Sequence, residues 1–447
     1  MEGKTKDPCH HVASSAMRRM CDEPRRGLQG RKLYIHPMAY CGTRALSAAL
    51  ESIGIEAEVL PPSDSRTLEL GAKYTSGDEC YPQKITLGDY LKVLERDDPR
   101  RVAFFMPTAE GPCRFGQYVP LLRKVLDDIG YREVPIISPS AGDGYDGIGE
   151  FAGELMRTGW RAVIASDILG KLLLKTRPYE AVKGATEEAF QASLDDVCGV
   201  LRISGLKPQE KLERLVASLI RCRERFRAVP ANYKKDVLFI GVVGEIFCRL
   251  NTFSNEDVIR KIEEYEGEAW LSDVAEWIWY TNIEQRRMLR LTGKGLSLSM
   301  LQAKLKGWVQ KADEHALYAP FEEDFHGYEE PGDIQEILDL CRPYLPQEGA
   351  SGEMVLSAGK AVYLYQKGVD GIVDLSPFTC MNGITCEAIY PRLSRDHEGI
   401  PIKNFYFDGT QSNLDRDVGI FMEMARNYRR KKTRERLYPY YFKRPAL

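Results

Sequence analysis

The chain has 447 residues, of which 43% are apolar and 28% charged, with a formal charge of −3. These values describe an ordinary globular protein long enough for two or three domains, and they exclude a disordered or strongly basic nucleic-acid-binding chain. No apolar run approaches the roughly 18–20 residues that span a bilayer, and the polar, basic segment 1–30 lacks the apolar core of a secretory signal. A cytoplasmic protein acting away from membranes is expected.

The segment 1–30 has no periodicity and reads as a flexible arm; its Cys9, His10 and His11 fall short of the four ligands of a structural zinc. KLYI (32–35) reads as a first strand, followed by the Cys41 loop and a helix from about 43 to 53. EAEVL (56–60) is the next strand, then a helix over 82–94, the strand VAFFM (102–106), a helix to about 129 and the strand VPII (134–137). Strand–helix alternation with short connections predicts a parallel sheet with helices on both faces. From about 147 to 229 the pattern is mainly helical, with RAVIAS (161–166) a possible further strand and 209–226 an amphipathic helix.

A second α/β unit begins at VLFIGVV (237–243), which ends in Gly244-Glu245-Ile246. Helices are expected at 255–265, 285–312, 333–340 and 352–366, then the strand GIVDL (371–375) and a helix from near Thr385. IKNFYF (402–407) reads as the last strand and 414–430 as the closing helix. The expected architecture is α/β: two Rossmann- or flavodoxin-like parallel-sheet units facing a cleft, with a helical segment. Its boundaries are an arm at 1–30, a first α/β domain at 31–146, a helical segment associated with it at 147–230, and a second α/β domain at 231–447.

Eleven cysteines in a chain without export signals point to reduced thiols, metal ligation or catalysis rather than a disulfide framework. Cys198, Cys222 and Cys341 lie on apolar helical faces and read as small core residues. Cys41, Cys80, Cys113, Cys248, Cys380 and Cys386 instead follow strands or open helices. Open α/β sheets collect ligands at that edge, and a helix N-terminus favours the thiolate that binds metal. None has CxxC spacing, which disfavours zinc ribbons and thioredoxin-like chemistry. An iron–sulfur cluster held by scattered cysteines fits better, because thiolates are its usual ligands. Arg114, beside Cys113, either offsets a cluster's negative charge or makes a surface ion pair. Glu245 is either a proton-handling, catalytic group or a structural one.

The segments GDECYPQ around Cys80, EGPCRFGQY around Cys113 and SPFTCMNG around Cys380 resemble those of the 2-hydroxyacyl-CoA dehydratase and double-cubane cluster protein superfamily. The strand ends Gly244-Glu245-Ile246 and FYFDG (405–409) are similar to its CoA-activase-related, dehydratase-like branch, and the resemblance covers roughly 31–430. It implies an iron–sulfur cluster of an anaerobic metabolism, either a [4Fe-4S] cluster on Cys80, Cys113 and Cys380 or a double-cubane [8Fe-9S] cluster. Cys41 and Cys386 are then added ligands and Cys248 the weakest candidate. It also implies a partner, an ATP-hydrolysing activase of the actin/hexokinase type carrying its own iron–sulfur cluster, and a homodimeric or heterodimeric assembly. The chain has no P-loop of its own, so the resemblance makes it the electron acceptor. The implied function is an iron–sulfur reductase or dehydratase-like enzyme that passes low-potential electrons to a small substrate. The alternatives are a 2-hydroxyacyl-CoA dehydratase subunit and a non-enzymatic partner or scaffold of the activase. A clear CoA-binding signature is missing.

Overall fold

The computed structural model describes residues 28–109, 111, 113–138, 152–346, 352–410 and 413–439. Cys9, His10 and His11, and most of the expected arm, lie outside these residues.

The first half builds a four-stranded parallel sheet from β1 (Lys32–Ile35), β2 (Ala57–Val59), β3 (Val102–Phe105) and β4 (Ile136–Ile137), in the order β2-β1-β3-β4. Between its strands run helices α1 (Tyr40–Glu51), α2 (Ser65–Lys73), α3 (Tyr81–Leu94) and α4 (Tyr118–Asp128). Every residue of β3 is buried, as expected of a strand covered by helices on both faces.

Three helices follow: α5 (Ala152–Thr176), α6 (Ala185–Leu201) and α7 (Pro208–Arg227). The run RAVIAS, expected as a possible strand, lies inside α5. A continuous apolar run does not separate strand from buried helix, and here Trp160, Ile164, Ile168 and Leu172 share one buried helical face. Helix α5 packs on α1 in one direction and on the second sheet in the other.

That second sheet contains β5 (Leu238–Gly244), β6 (Gly267–Leu271), β7 (Gly371–Pro377) and β8 (Ile402–Phe407), all parallel, in the order β6-β5-β7-β8. Its helices are α8 (Ile246–Leu250), α9 (Val258–Glu264), α10 (Val274–Leu291), α11 (Leu298–Tyr318), α12 (Ile334–Cys341), α13 (Met354–Gln366), α14 (Met381–Asp396) and α15 (Leu414–Arg429). Two differences from the sequence reading have local causes. The single helix expected over 285–312 is two, α10 and α11, because Gly293 adopts a left-handed φ of 72° that ends the first. Helix α14 begins four residues before Thr385, which makes Cys380 its N-cap.

Both sheets thus share the 2-1-3-4 strand order of flavodoxin-like units, whose order reverses between strands 1 and 3. The reversal points lie at β1/β3 and β5/β7, and the loops leaving them meet. Asn251 Nδ2 donates to the Pro37 carbonyl (3.3 Å) and the His36 and Phe247 rings lie 5.2 Å apart. Tyr81 and Ile85 at the start of α3 belong to the core of the second sheet. The α/β architecture of two such units around a shared edge is therefore observed.

Between α5, α10, α13 and the end of β6 the fold buries a network of charges. Lys171 reaches Asp273 (3.0 Å) and Glu330 (2.7 Å), while Lys360 reaches Glu276 (2.9 Å) and also Glu330. Burial opposes ionisation of Glu330, but the two ammonium groups outweigh it and hold its carboxyl near 2. A carboxyl depressed in the folded state stabilises fully above the ordinary carboxylate pKa of about 4.3, and that stabilisation drains away as pH falls through the folded value. Urea unfolding at a series of pH values should therefore show stability falling from about pH 4.5 toward 2, and Glu330→Gln should flatten that part of the profile.

Candidate functional site

Three of the expected ligands sit in the same local structure. Cys80, Cys113 and Cys380 each immediately precede a helical turn, with φ/ψ of −68/151°, −70/135° and −69/128°. This is the extended N-cap conformation, in which a side chain turns back to the free amides of the first turn. The Cys113 sulfur accepts from the Phe115 amide at 3.5 Å. At Cys80 and Cys380 the first-turn amides bond the residue's own carbonyl instead, Gln83 to Cys80 and Ile384 to Cys380, both at 3.0 Å, and the sulfurs take no capping hydrogen bond. Free amides and the positive end of the helix favour negative charge on each sulfur.

Arg114 ties the three loops together. Its Nη1 donates to the Asp78 carbonyl (2.7 Å), two residues before Cys80, and its Nη2 donates to the Thr379 carbonyl (3.0 Å), one residue before Cys380. Thr379 holds a left-handed φ of 64°, unusual for a β-branched residue and of the kind that persists where its surroundings over-determine it. The surface ion pair considered for Arg114 is replaced by hydrogen bonds to backbone carbonyls. If an iron–sulfur group occupies these loops, Arg114→Met should leave the far-ultraviolet circular dichroism unchanged but lower the iron retained per chain several-fold after anaerobic gel filtration, because among the described residues no other side chain hydrogen-bonds from the Cys113 turn to both the Cys80 and the Cys380 loop.

Cys80 is buried, with its sulfur 2.8 Å from the Tyr118 hydroxyl; Cys380 is half-buried and Cys113 exposed. Burial raises all three thiols, and for Cys380 the neighbouring Glu245 carboxylate adds to it, to about 12. Cys248, fully buried inside α8, is pushed up by burial and by the charges of Glu245, Cys380 and Cys80. Cys80, Cys113, Cys248 and Cys380 thus occupy one electrostatic neighbourhood although 300 residues separate the first from the last.

Glu245 follows β5 and caps α8, its two carboxylate oxygens accepting from the Phe247 (3.0 Å) and Cys248 (2.9 Å) amides. Glu353, at the start of α13, takes the remaining amide of that turn, Ile246, at 3.1 Å. Burial and the Glu245 charge push Glu353 up to about 8. The sequence reading missed Glu353, which no motif marks, and Tyr118, which a helical period places only in the core.

Of the two remaining candidates, Cys41 stands apart from the three N-cap cysteines and Cys386 lies on the helix that Cys380 caps. Cys41 lies within the first turn of α1, where Ser166, Cys198 and Asp167 are its neighbours, and none of the three N-cap cysteines acts on it. Cys386 is buried between α14 and α13, its thiol facing the Met354 carbonyl (3.6 Å), with Asp374, Cys341 and Cys380 close by. Cys198, Cys222 and Cys341 are all buried on helices.

Among the described residues, no three His, Cys, Asp or Glu side chains stand close enough to hold a single metal ion. A cubane makes a different demand, since thiolates at about 2.3 Å from separate irons lie roughly 6–7 Å apart. No helix among the described residues is long and apolar enough to cross a membrane. No family model matches the chain, and no curated protein matches it.

Proposed function

We propose that this chain is a cytoplasmic iron–sulfur protein that accepts low-potential electrons from an ATP-hydrolysing activase and reduces a small substrate where its two sheets meet. The observation that carries the reading is the set of three N-cap cysteines joined through Arg114 at the strand-order reversals of two facing sheets. The donor set fits an iron–sulfur group: three soft thiols at helix starts, an amide directed at one of them, and a guanidinium beside them. Such a group, when bound, supplies one-electron transfer at a potential tuned by hydrogen bonds to sulfur and by burial.

Cys80, Cys113 and Cys380 would hold it, with Cys248 the further thiol of the same neighbourhood. A single cubane suits this arrangement better than the larger double-cubane form, because Cys41 packs against the helical core of α5 and α6. Glu245 and Glu353 share one buried turn, where burial favours protonation of Glu353 near neutral pH. That turn can hold a proton beside a reduced site, and Glu245 acts there chiefly as the cap that positions it.

The partner is tested by mixing the anaerobic protein with an activase of the actin/hexokinase type and following its visible absorption. Bleaching that requires ATP supports the reading. Complete reduction by a simple ferredoxin without ATP would remove the activase from it.

A further inference from the structure

We infer that the helical segment carries a binding site for a small oxyanion, a phosphate or carboxylate group, between the first turns of α5 and α7. A cavity of about 380 Å³ opens there, lined by Glu154, Arg157, Thr158, Arg161, Pro208 and Lys211 among others. That volume lies within the range of small-molecule sites, roughly 300–1,000 Å³.

Lys211 carries the inference. Its side chain is 98% buried, since only 2% of the residue is exposed, and its ammonium nitrogen makes no hydrogen bond. The nearest carboxylate oxygen, from the more exposed Glu154, is 4.0 Å away. An ammonium buried with no hydrogen bond and one carboxylate at the limit of ion-pair reach is costly, and burial here pushes it below its ordinary pKa. A bound anion would supply the missing partner.

The surroundings add to the positive potential. Arg157 and Arg161 both grip Asp313 with paired contacts of 2.8–3.0 Å, so one carboxylate serves two guanidiniums. Arg161 also donates to the Pro208 carbonyl (2.7 Å), which fixes it against the first turn of α7. Three cations therefore face two carboxylates, Asp313 and Glu154. The cavity also adjoins the positive ends of two long helices, of 25 and 20 residues. None of these residues belongs to the cysteine site, so this inference stands independently of the proposed function.

Isothermal titration of the full chain with inorganic phosphate, and separately with succinate, at constant ionic strength tests it. One anion should bind per chain, and Lys211→Met should weaken that binding at least about tenfold, the equivalent of one charged hydrogen bond. The variant should fold at least as stably as the wild type without the anion, since it removes a buried charge that has no hydrogen bond and leaves only the more exposed Glu154 behind; Lys211→Gln serves as a second variant. Phosphate binding alone would identify a phosphate site and succinate alone a carboxylate site. No binding of either, or equal binding to the wild type and both variants, would overturn the inference.

Discussion

Replacing Cys80, Cys113 or Cys380 by alanine is expected to strip or degrade the iron–sulfur group, with iron per chain falling toward background after anaerobic preparation. Each sulfur belongs to a different loop, and each loop ends in the same extended N-cap backbone geometry. On the proposed reading, losing one leaves an iron without its protein thiolate. The same change at Cys198, Cys222 or Cys341 should leave iron unchanged and cost only packing, on the order of 1–2 kcal/mol for so small a buried side chain. Cys248→Ala separates two versions of the site: iron loss equal to that of the triad makes it a fourth ligand, and full retention leaves it a buried neighbour. Urea denaturation of each variant without iron separates lost ligation from lost folding.

Lys360→Met should produce the largest loss of stability among single changes distant from the cysteines, about 3–5 kcal/mol, the usual cost of removing one partner from a buried ion pair. Lys360 is fully buried, pairs with Glu276 and Glu330, and sits over the Trp270 and Tyr363 rings at 5.7 and 5.3 Å. Methionine keeps most of the volume but leaves Glu276 without its cation and Asp273 and Glu330 sharing Lys171 alone. Adding Glu276→Gln should recover part of the loss, because it removes the carboxylate that the substitution orphans. Equilibrium urea unfolding of the two variants and the wild type measures both effects. A loss under about 1 kcal/mol would mean that the network behaves like a surface ion pair.

Much of the fold could be read from local pattern. β1, β3, β5, β7 and β8 are short apolar runs between turn residues, and their alternation with helical periods carries both sheets. β6 escaped that reading because Glu268 interrupts it. The residue is fully buried in the strand and is matched by Arg436, 168 positions away, and by Tyr179, 89 positions away. A buried charge whose partner is so distant leaves no mark on the local pattern. The α5 segment failed for the opposite reason, since its apolar residues are too continuous to reveal a period.

The candidate site divides in the same way. Cys80, Cys113 and Cys380 were legible because a helix start or a strand end places a residue at the sheet's ligand-binding edge whatever else the chain does. Cys41 obeyed the same local rule, yet the first turn of α1 packs against α5 and α6, and those helices surround its thiol. Glu353 was invisible because its role depends on facing the amide of Ile246, on a helix 107 residues earlier. The tie made by Arg114 likewise spans 265 residues to reach Thr379.

The central claim is that these loops hold an iron–sulfur group, and its most direct test is chemical. Iron and acid-labile sulfide should be counted per chain on anaerobically purified and reconstituted protein, together with an electron paramagnetic resonance spectrum of the reduced state. The account predicts about four irons and four sulfides per chain, as for a [4Fe-4S] cubane, and a paramagnetic signal lost in the Cys80, Cys113 and Cys380 variants. A colourless, iron-free protein after reconstitution would contradict it.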